Sequence, residues 1–353
     1  MTTGRDRTID VARGLAMVAV VAGHALRGLQ SAGIAPGAGA WSDLGLLLYL
    51  VHLPMFALLT GLLLPAGVDR DGAARYLRRR VPELLYLFVL WTLIQGAFEI
   101  AASSLRNGRT TWLEVLTLWV PIAHLWFLPL LVVAVTTAAL VSPWRGGPAR
   151  VVATLAVMAV SLAGWGVDGA YVWERGAALL MFFAAGAWIT RARFSGVVAA
   201  LPPLRPALVA LCGGAVLVAI AGVGDPTAPT MNDPARTART VAQGLVATTA
   251  GVGGLLALSA IVARFSTVSG WLSHIGARSL PIFLMHILFT AGTRAVLVAL
   301  GLADPRVQLV LGTAAGVVGP LLALRALRRA PWLFHAPWVV RSTRSPTLRP
   351  AEP

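Results

Sequence analysis

The sequence predicts an all-α integral membrane protein with about ten transmembrane helices and with both termini in the cytoplasm. Three observations carry this prediction: the composition, the length of the apolar runs and the distribution of arginine. Of the 353 residues, 57% are hydrophobic and only 12% are charged, whereas soluble domains carry about 25% charged residues. The chain is therefore too apolar for a soluble globular protein.

Ten apolar runs have roughly the length that a membrane-spanning helix requires. They cover residues 9–29, 43–64, 82–103, 124–141, 150–165, 175–190, 205–223, 240–262, 279–301 and 307–325. Residues 112–122 are also apolar and predict an interfacial or re-entrant segment. No internal repeat or linker divides the chain. Residues 1–327 are therefore predicted to form one membrane domain, followed by a basic, Pro-rich cytoplasmic tail at 328–353.

The placement of arginine orients the spans. All 29 basic residues are arginines, and the formal net charge is +15. With the N-terminus inside, twenty of them fall in cytoplasmic segments and six in outer loops, as the positive-inside rule requires. Because the charge lies in short loops and not on one basic face of a soluble fold, nucleic acid is excluded as a partner. The predicted surroundings are the lipid bilayer of the plasma (inner) membrane.

Within residues 9–26, the first apolar run carries three polar side chains, Asp10, Arg13 and His24. A charge at the centre of a membrane helix costs about 2.5–3.5 kcal/mol, so such residues usually serve a function. At about 100° per residue, the eleven steps from Arg13 to His24 return to nearly the same helix face, about 16 Å further along. Asp10 lies within about 60° of both. The run predicts a buried polar stripe.

Three further histidines, His52, His124 and His286, lie in or at the ends of other apolar runs. Each alone is typical of a hydrogen-bonded core residue, but together they indicate a shared polar cavity. No metal site is predicted, because neither an H-x-x-x-H motif nor a Cys/His cluster occurs. Pro54, two residues after His52, would either break the second span towards this cavity or only kink it.

Other polar groups flank these histidines. A basic loop within residues 65–81 places Arg78, Arg79 and Arg80 at the cytoplasmic end of the third span. There they would either only set the membrane topology or also bind an anionic phosphate ligand. In that span Gln95 and Glu99 share a face. Ser279 lies on the same face of the ninth span as His286. No Ser-based elbow or P-loop motif is present, so a histidine acting as general base is the most economical chemistry.

Five segments, in matching order, resemble the membrane acyltransferase family 3, especially its fucose 4-O-acetylase-like branch. They are RTIDVARGLAMVAVVAGHA, VHLPMFALLTG, YLRRRVPELL, HLWFLPLL and SLPIFLMH. Members of this family are understood to transfer an acyl group, commonly acetyl, from cytoplasmic acyl-coenzyme A to a hydroxyl, often across the membrane. The resemblance implies no bound cofactor, with acyl-CoA, and acetyl-CoA in particular, as co-substrate. The acceptor would be a carbohydrate, lipid-linked or metabolite hydroxyl.

The resemblance also implies roles for residues. His24 would be the base or acyl relay, and Asp10 would assist by orienting Arg13 or a nearby histidine. Arg13, Arg78, Arg79 and Arg80 would hold the phosphorylated donor. Candidate cavity-lining residues are His52, His124, Trp126, Glu99, Ser279 and His286. Acceptor recognition would fall to the helices and to outer loops that include 30–42, 104–123 and 224–239.

Two other functions are compatible with the same polar residues. A non-catalytic carrier could move an acyl, lipid or glycan group along the stripe and past a broken second span. A membrane sensor or scaffold has no soluble domain to support it. Dependence on an acyl donor separates the transferase from the carrier.

Overall fold

A computed structural model describes residues 7–102, 110–202 and 204–339, and these fold almost entirely as helices. Within these ranges thirteen α-helices follow one another. They are α1 (Arg7–Ser31), α2 (Ala40–Asp71), α3 (Ala73–Ala102), α4 (Trp112–Leu116), α5 (Phe127–Val141), α6 (Pro148–Ala163), α7 (Leu179–Ile189), α8 (Arg191–Ala200), α9 (Leu204–Val223), α10 (Ala238–Val262), α11 (Ser266–Ala277), α12 (Ser279–Ala299) and α13 (Pro305–Ala326).

The prediction of an all-α, multi-pass membrane protein is confirmed. Eight of the described helices are long and apolar enough to cross a membrane: α1, α2, α3, α5, α9, α10, α12 and α13. The shorter apolar helices α6 and α7 correspond to the fifth and sixth predicted runs. The ten runs therefore match ten apolar helices. The short helices α8 and α11, which lie between runs, were not predicted.

Two predicted boundaries were wrong. The segment 65–81 is not a loop, because α2 continues to Asp71 and α3 begins at Ala73. Only Gly72 separates them, at φ 76°, a backbone conformation that glycine adopts without strain. The fourth span begins at Phe127, so His124 lies in the turn before the helix.

Pro54 does not break the second span. Helix α2 runs without interruption through both Pro54 and Pro65. Proline removes one backbone donor and leaves the carbonyl four residues earlier without its usual partner, but the surrounding packing maintains the helix. The broken-helix alternative for this span is therefore excluded.

Helix α1 occupies the centre of the bundle. It packs against α2, α10, α11, α12 and α13. Its contact with α11 depends on glycine: Gly14 faces the backbone of Leu272, and Gly276 faces the backbone of Asp10. Without side chains at these two positions the helices approach to backbone contact, which is how helices in lipid gain van der Waals packing.

The beginning of the predicted tail folds back against α3. The indole of Trp91 donates to the Leu333 carbonyl at 2.7 Å, and Phe334 is buried. Nearer the start of α3, Glu83 accepts from Arg80 at 2.8 Å and from His335 at 3.3 Å. Residues 328–339 therefore belong to the packed structure, while 340–353 lie outside the described residues.

We predict that the α2–α3 junction faces the cytoplasm. Ala74 is exposed in the first turn of α3 and accepts a cysteine without the strain that a side chain at Gly72 would cause. In a Cys212→Ala background, Ala74→Cys should react with a membrane-impermeant maleimide only after the cells are permeabilised. Labelling in intact cells would contradict the assigned orientation.

We further predict that Gly276→Ala lowers the melting temperature of the detergent-purified protein. The added methyl group would collide with the Asp10 backbone, which cannot shift unless α1 moves, and overpacking costs about 1–3 kcal/mol. Gly292→Ala is the matched control, because nothing lies within 4 Å of its Cβ position. Equal melting temperatures for the two variants would show that the α1–α11 contact tolerates added volume.

Candidate functional site

The four predicted histidines meet inside the helical bundle. The ring centre of His24 lies 5.0 Å from that of His286, 5.6 Å from that of His124 and 6.4 Å from that of His52. The His124 and His286 rings are 4.5 Å apart. His52, His124 and His286 are buried, and His24 is half-buried. The prediction that they share one site therefore agrees with their positions.

Hydrogen bonds assign the protons of the central pair. Nδ1 of His286 contacts the carbonyl oxygens of Phe283 at 2.8 Å and Ile282 at 3.2 Å. Carbonyls only accept, so this nitrogen carries the proton and Nε2 carries a lone pair. His24 Nδ1 lies 2.8 Å from that Nε2 and must donate to it. In the neutral ring, Nε2 of His24 is then left with its lone pair, the form that a general base needs.

The other two histidines are also anchored to backbone carbonyls. Nε2 of His124 donates to the Phe283 carbonyl at 2.7 Å, so this one oxygen accepts from two imidazoles. Nδ1 of His52 donates to the Leu48 carbonyl. Their remaining nitrogens, His52 Nε2 and His124 Nδ1, are buried and have no partner among the described residues. Both neutral rings therefore present acceptor atoms that no donor in the described part of the chain uses.

Helices α1 and α12 bring the polar residues together by running side by side in the same direction. Near their starts, Arg13 Nη2 donates to Ser279 Oγ at 2.7 Å. Further along, His24 contacts His286. Early residues of the two helices contact each other, and so do later residues, so the helices must pack in parallel. This is expected for the first and ninth spans, because successive spans alternate in direction.

Helix α1 holds Arg13 and His24 at well separated levels. Arg13 is half-buried, and eleven residues of helix rise put its Cα about 16 Å from that of His24. Asp10 is buried in the first turn beside α11, about 21 Å of rise from His24, so a direct contact between the two side chains is excluded. Any part that Asp10 plays must act through the Arg13 end of the stripe.

The three arginines of α3 that were predicted to hold the donor are not equivalent. Arg78 and Arg79 are exposed, whereas Arg80 forms the ion pair with Glu83 at 2.8 Å. The pair is linked onward to His335. Arg78 and Arg79 are thus exposed to an anionic ligand, and Arg80 is tied to the C-terminal segment.

The remaining predicted cavity residues lie around this centre. Trp126 is buried two residues after His124, in the same turn, and packs against Gly176. Gln95 is buried and donates to the Leu284 carbonyl at 3.0 Å. Its Oε1 has no described partner. Glu99, one turn further, is half-buried, and no hydrogen bond joins it to a histidine in the described part of the chain.

Sequence analysis missed two contributors to the site. The Phe283 carbonyl orients two histidines. Every residue has a backbone carbonyl, so the sequence does not show which carbonyl does this. Tyr49, whose ring lies 4.7 Å from that of His52, sits one turn before that histidine. Tyr49 lies three residues before His52 in an apolar helix, and this spacing could have predicted that the two side chains share a face. Among the described residues, no group of three or more His, Cys, Asp or Glu side chains has an arrangement that could hold a metal ion.

Comparison with known proteins places these features in a family. The chain matches the acyltransferase domain of the acyltransferase 3 family over residues 6–325, most of its length. No curated protein and no solved structure matches it. The histidine cluster and the ten apolar helices all lie within the matched region. The chain therefore belongs to the acyltransferase 3 family, and its activity is acyl transfer.

Proposed function

We propose that the protein transfers an acyl group, with acetyl as the expected group, from cytoplasmic acyl-CoA to a hydroxyl of a carbohydrate, lipid-linked or metabolite acceptor. It would do so in the plasma (inner) membrane, as a relative of the fucose 4-O-acetylase-like branch. The observation that carries this proposal is the lone pair on His24 Nε2, fixed by the His286 contact.

The reaction follows from that lone pair. His24 Nε2 takes the proton of the acceptor hydroxyl as its oxygen bonds to the thioester carbonyl carbon. The carbon–sulfur bond then breaks, and the imidazolium returns the proton to the leaving thiolate. The products are an ester and free CoA thiol, so atoms and charge balance. As the imidazolium forms, His286 Nε2 still accepts the Nδ1 proton of His24 and keeps the ring oriented.

A covalent relay uses the same nitrogen. In that route His24 Nε2 bonds to the acyl carbon first and the carbon–sulfur bond breaks, which releases the thiolate. The acceptor hydroxyl then attacks the acyl carbon, the bond from that carbon to Nε2 breaks, and the hydroxyl proton passes to the thiolate, so the products are again an ester and free CoA thiol. The geometry at His24 is compatible with both routes. Each needs an unprotonated Nε2, which faces the acceptor hydroxyl in the first route and the thioester carbonyl carbon in the second.

Unused acceptor atoms support a polar substrate at this position. His52 Nε2, His124 Nδ1 and Gln95 Oε1 are buried without described donors. Each such group costs about 1–3 kcal/mol unless a donor reaches it. The hydroxyl of an acceptor or the amide N–H groups of a pantetheine arm would supply those donors.

The donor's phosphates would bind at the other end of the stripe. Arg13 provides a partly buried guanidinium, and Arg78 and Arg79 provide exposed ones. Guanidinium groups bind phosphate through paired hydrogen bonds. The distance of about 16 Å from Arg13 to His24 then requires the long pantetheine arm to lie along α1.

We predict that His24→Ala abolishes measurable transfer. His286→Phe should lower kcat about 100-fold, because His24 Nδ1 would lose the acceptor that fixes its tautomer. A positioned histidine base contributes about 10²–10⁴-fold. His286→Gln can still accept from His24 Nδ1 and should retain more activity than His286→Phe. Transfer of radiolabel from acetyl-CoA to membrane glycan extracts, with the protein in nanodiscs, measures this.

His274→Ala is the matched control, since His274 lies in α11 and bonds only Arg278 among described side chains. It should transfer at the wild-type rate. Activity retained by folded His24→Ala would overturn the proposed role of His24. Movement of substrate without any acyl donor would instead establish a carrier.

A second prediction concerns donor binding. Arg13→Ala should raise the KM for acetyl-CoA about 10-fold to 100-fold, because a charged hydrogen bond is worth about 1.5–3 kcal/mol. His24→Gln should lower kcat with little change in that KM. Ser279→Ala keeps the guanidinium and should cause a smaller KM change than Arg13→Ala.

Arg264→Ala serves as control, because this exposed arginine lies away from the stripe. The contribution of Arg78 and Arg79 should fall as salt rises, since exposed charges are screened. An unchanged donor KM in Arg13→Ala would show that Arg13 does not hold the phosphates.

A further inference from the structure

The connection between α9 and α10 on the outer side dips into the helical bundle. It lies within the segment 224–239, which sequence analysis assigned to acceptor recognition. Residues 226–230 of this connection are all buried, and Thr227 and Ala228 are each 3% exposed. Connecting loops usually run over the surface, because their backbone groups need water or other partners. The burial of residues 226–230, called here the buried loop segment, therefore needs a physical reason.

The backbone and side chain of Thr227 hold this segment in place. Its N–H donates to the Thr240 carbonyl at 3.1 Å, and its carbonyl accepts from the buried Trp165 indole at 2.7 Å. Thr227 Oγ1 donates to Asp233 Oδ2 at 2.6 Å and lies 2.8 Å from Thr240 Oγ1. Because Gly244 has no side chain, the Thr227 carbonyl lies directly against α10. The segment is thus fixed at one depth in the bundle.

The buried loop segment reaches the layer of side chains next to the histidines. Ala228 belongs to an apolar cluster whose other buried members are Tyr49, Leu50, Val51 and Ala247. Tyr49 is nine residues, or about 14 Å of helix rise, from the outer start of α2. Its ring stands edge-on to His52 with 4.7 Å between ring centres, and His52 lies 6.4 Å from His24. One layer of side chains therefore separates the segment from the histidine cluster.

Water is the natural competitor of the acceptor at this cluster. His24 Nε2 would take a proton from a water molecule as the water oxygen bonds to the thioester carbonyl carbon. The carbon–sulfur bond then breaks, and the proton returns to the leaving thiolate. The products are a free carboxylic acid and CoA thiol, so the donor is wasted by a balanced side reaction. Enzymes suppress such hydrolysis by excluding water from the reacting groups.

Two sides of the cluster must be closed in different ways. His24 is half-buried, so one side of it stays accessible to substrates, and a bound acceptor displaces water there. The side that faces α2 and α10 has to be closed by the protein itself. The apolar cluster around Ala228 lies on that side, between Tyr49 and the outer surface. An apolar layer without hydrogen-bonding groups gives water no partners along this route.

We infer that the buried loop segment is a water seal, and that Thr227 and Ala228 set the ratio of acyl transfer to thioester hydrolysis. Thr227 holds the segment at its depth, and Ala228 fills the space between α2 and α10 beside Tyr49. The inference rests on the proposed function, since it concerns whether the acceptor or water receives the acyl group. It gives the buried part of the loop a role other than acceptor recognition.

The test measures hydrolysis and transfer separately in nanodiscs. Release of CoA thiol from acetyl-CoA without acceptor reports hydrolysis, and label transferred from radioactive acetyl-CoA to membrane glycan extracts reports transfer. Ala228→Asp should raise hydrolysis about 10-fold or more, because a carboxylate cannot stay in the apolar cluster. Thr227→Val keeps the shape of the side chain but loses its contacts with Asp233 and Thr240. It should raise hydrolysis about 5-fold by making local opening easier.

Matched controls separate opening of the seal from general damage. Thr248→Val makes the same substitution at a buried threonine whose Oγ1 has no described partner. Ala238→Asp places the same charge at an exposed alanine at the start of α10. Both should hydrolyse acetyl-CoA at the wild-type rate. Adding His24→Ala to Ala228→Asp should abolish the extra hydrolysis, because the leak uses the same base.

A labelling experiment tests the seal without any reaction at the thioester. Ala247 is fully buried in the same apolar cluster. In a Cys212→Ala background, Ala247→Cys should react slowly with an impermeant methanethiosulfonate added from the outer side. Ala228→Asp should speed this reaction about 10-fold or more, as local opening admits water and reagent.

The outcomes distinguish the seal from the proposed function. Wild-type protein that labels no acceptor would contradict the proposed function, whereas the cysteine reaction would still report the seal. Unchanged hydrolysis in folded Ala228→Asp and Thr227→Val, with normal transfer, would overturn the inference. Equal cysteine reaction rates with and without Ala228→Asp would overturn it as well, as would extra hydrolysis that persists after His24→Ala. If Ala228→Asp does not fold, the near-isosteric Thr227→Val decides the result.

Discussion

The parallel contact between α1 and α12 is the constraint on which the rest of the site depends. Helix α1 carries groups that lipid cannot solvate, and α12 offers Ser279 and His286 at the matching heights. The pairing sets the depth of α12 relative to α1. It also fixes the proton on His24, so the packing of two helices determines the chemical form of the central nitrogen.

Backbone carbonyls hold the histidine rings in their orientations. In a medium without water, each imidazole needs at least one partner, and the Phe283 carbonyl serves two of them. Both nitrogens of His286 are used in this way, whereas the second nitrogens of His24, His52 and His124 are left for a ligand. The cluster of histidines thereby becomes a directional set of hydrogen-bond acceptors, whose orientation is set by the backbone carbonyls.

Much of the architecture could be predicted from the sequence, because bilayer thickness fixes span length and arginine reports orientation. The grouping of His24, His52, His124 and His286 was also predictable, since isolated polar groups in lipid must find one another. The tautomers were not, because they depend on carbonyls that the residue pattern does not reveal.

The distance in sequence between the paired residues affects how the protein is made. Arg13 and Ser279 are 266 positions apart, and His24 and His286 are 262 apart. At roughly 5–20 residues per second, α1 leaves the ribosome on the order of 10 to 50 s before α12 exists. During this interval its polar face must be sheltered by the insertion machinery or by water. Chains that end before α12 would lack the Ser279 and His286 partners of that face.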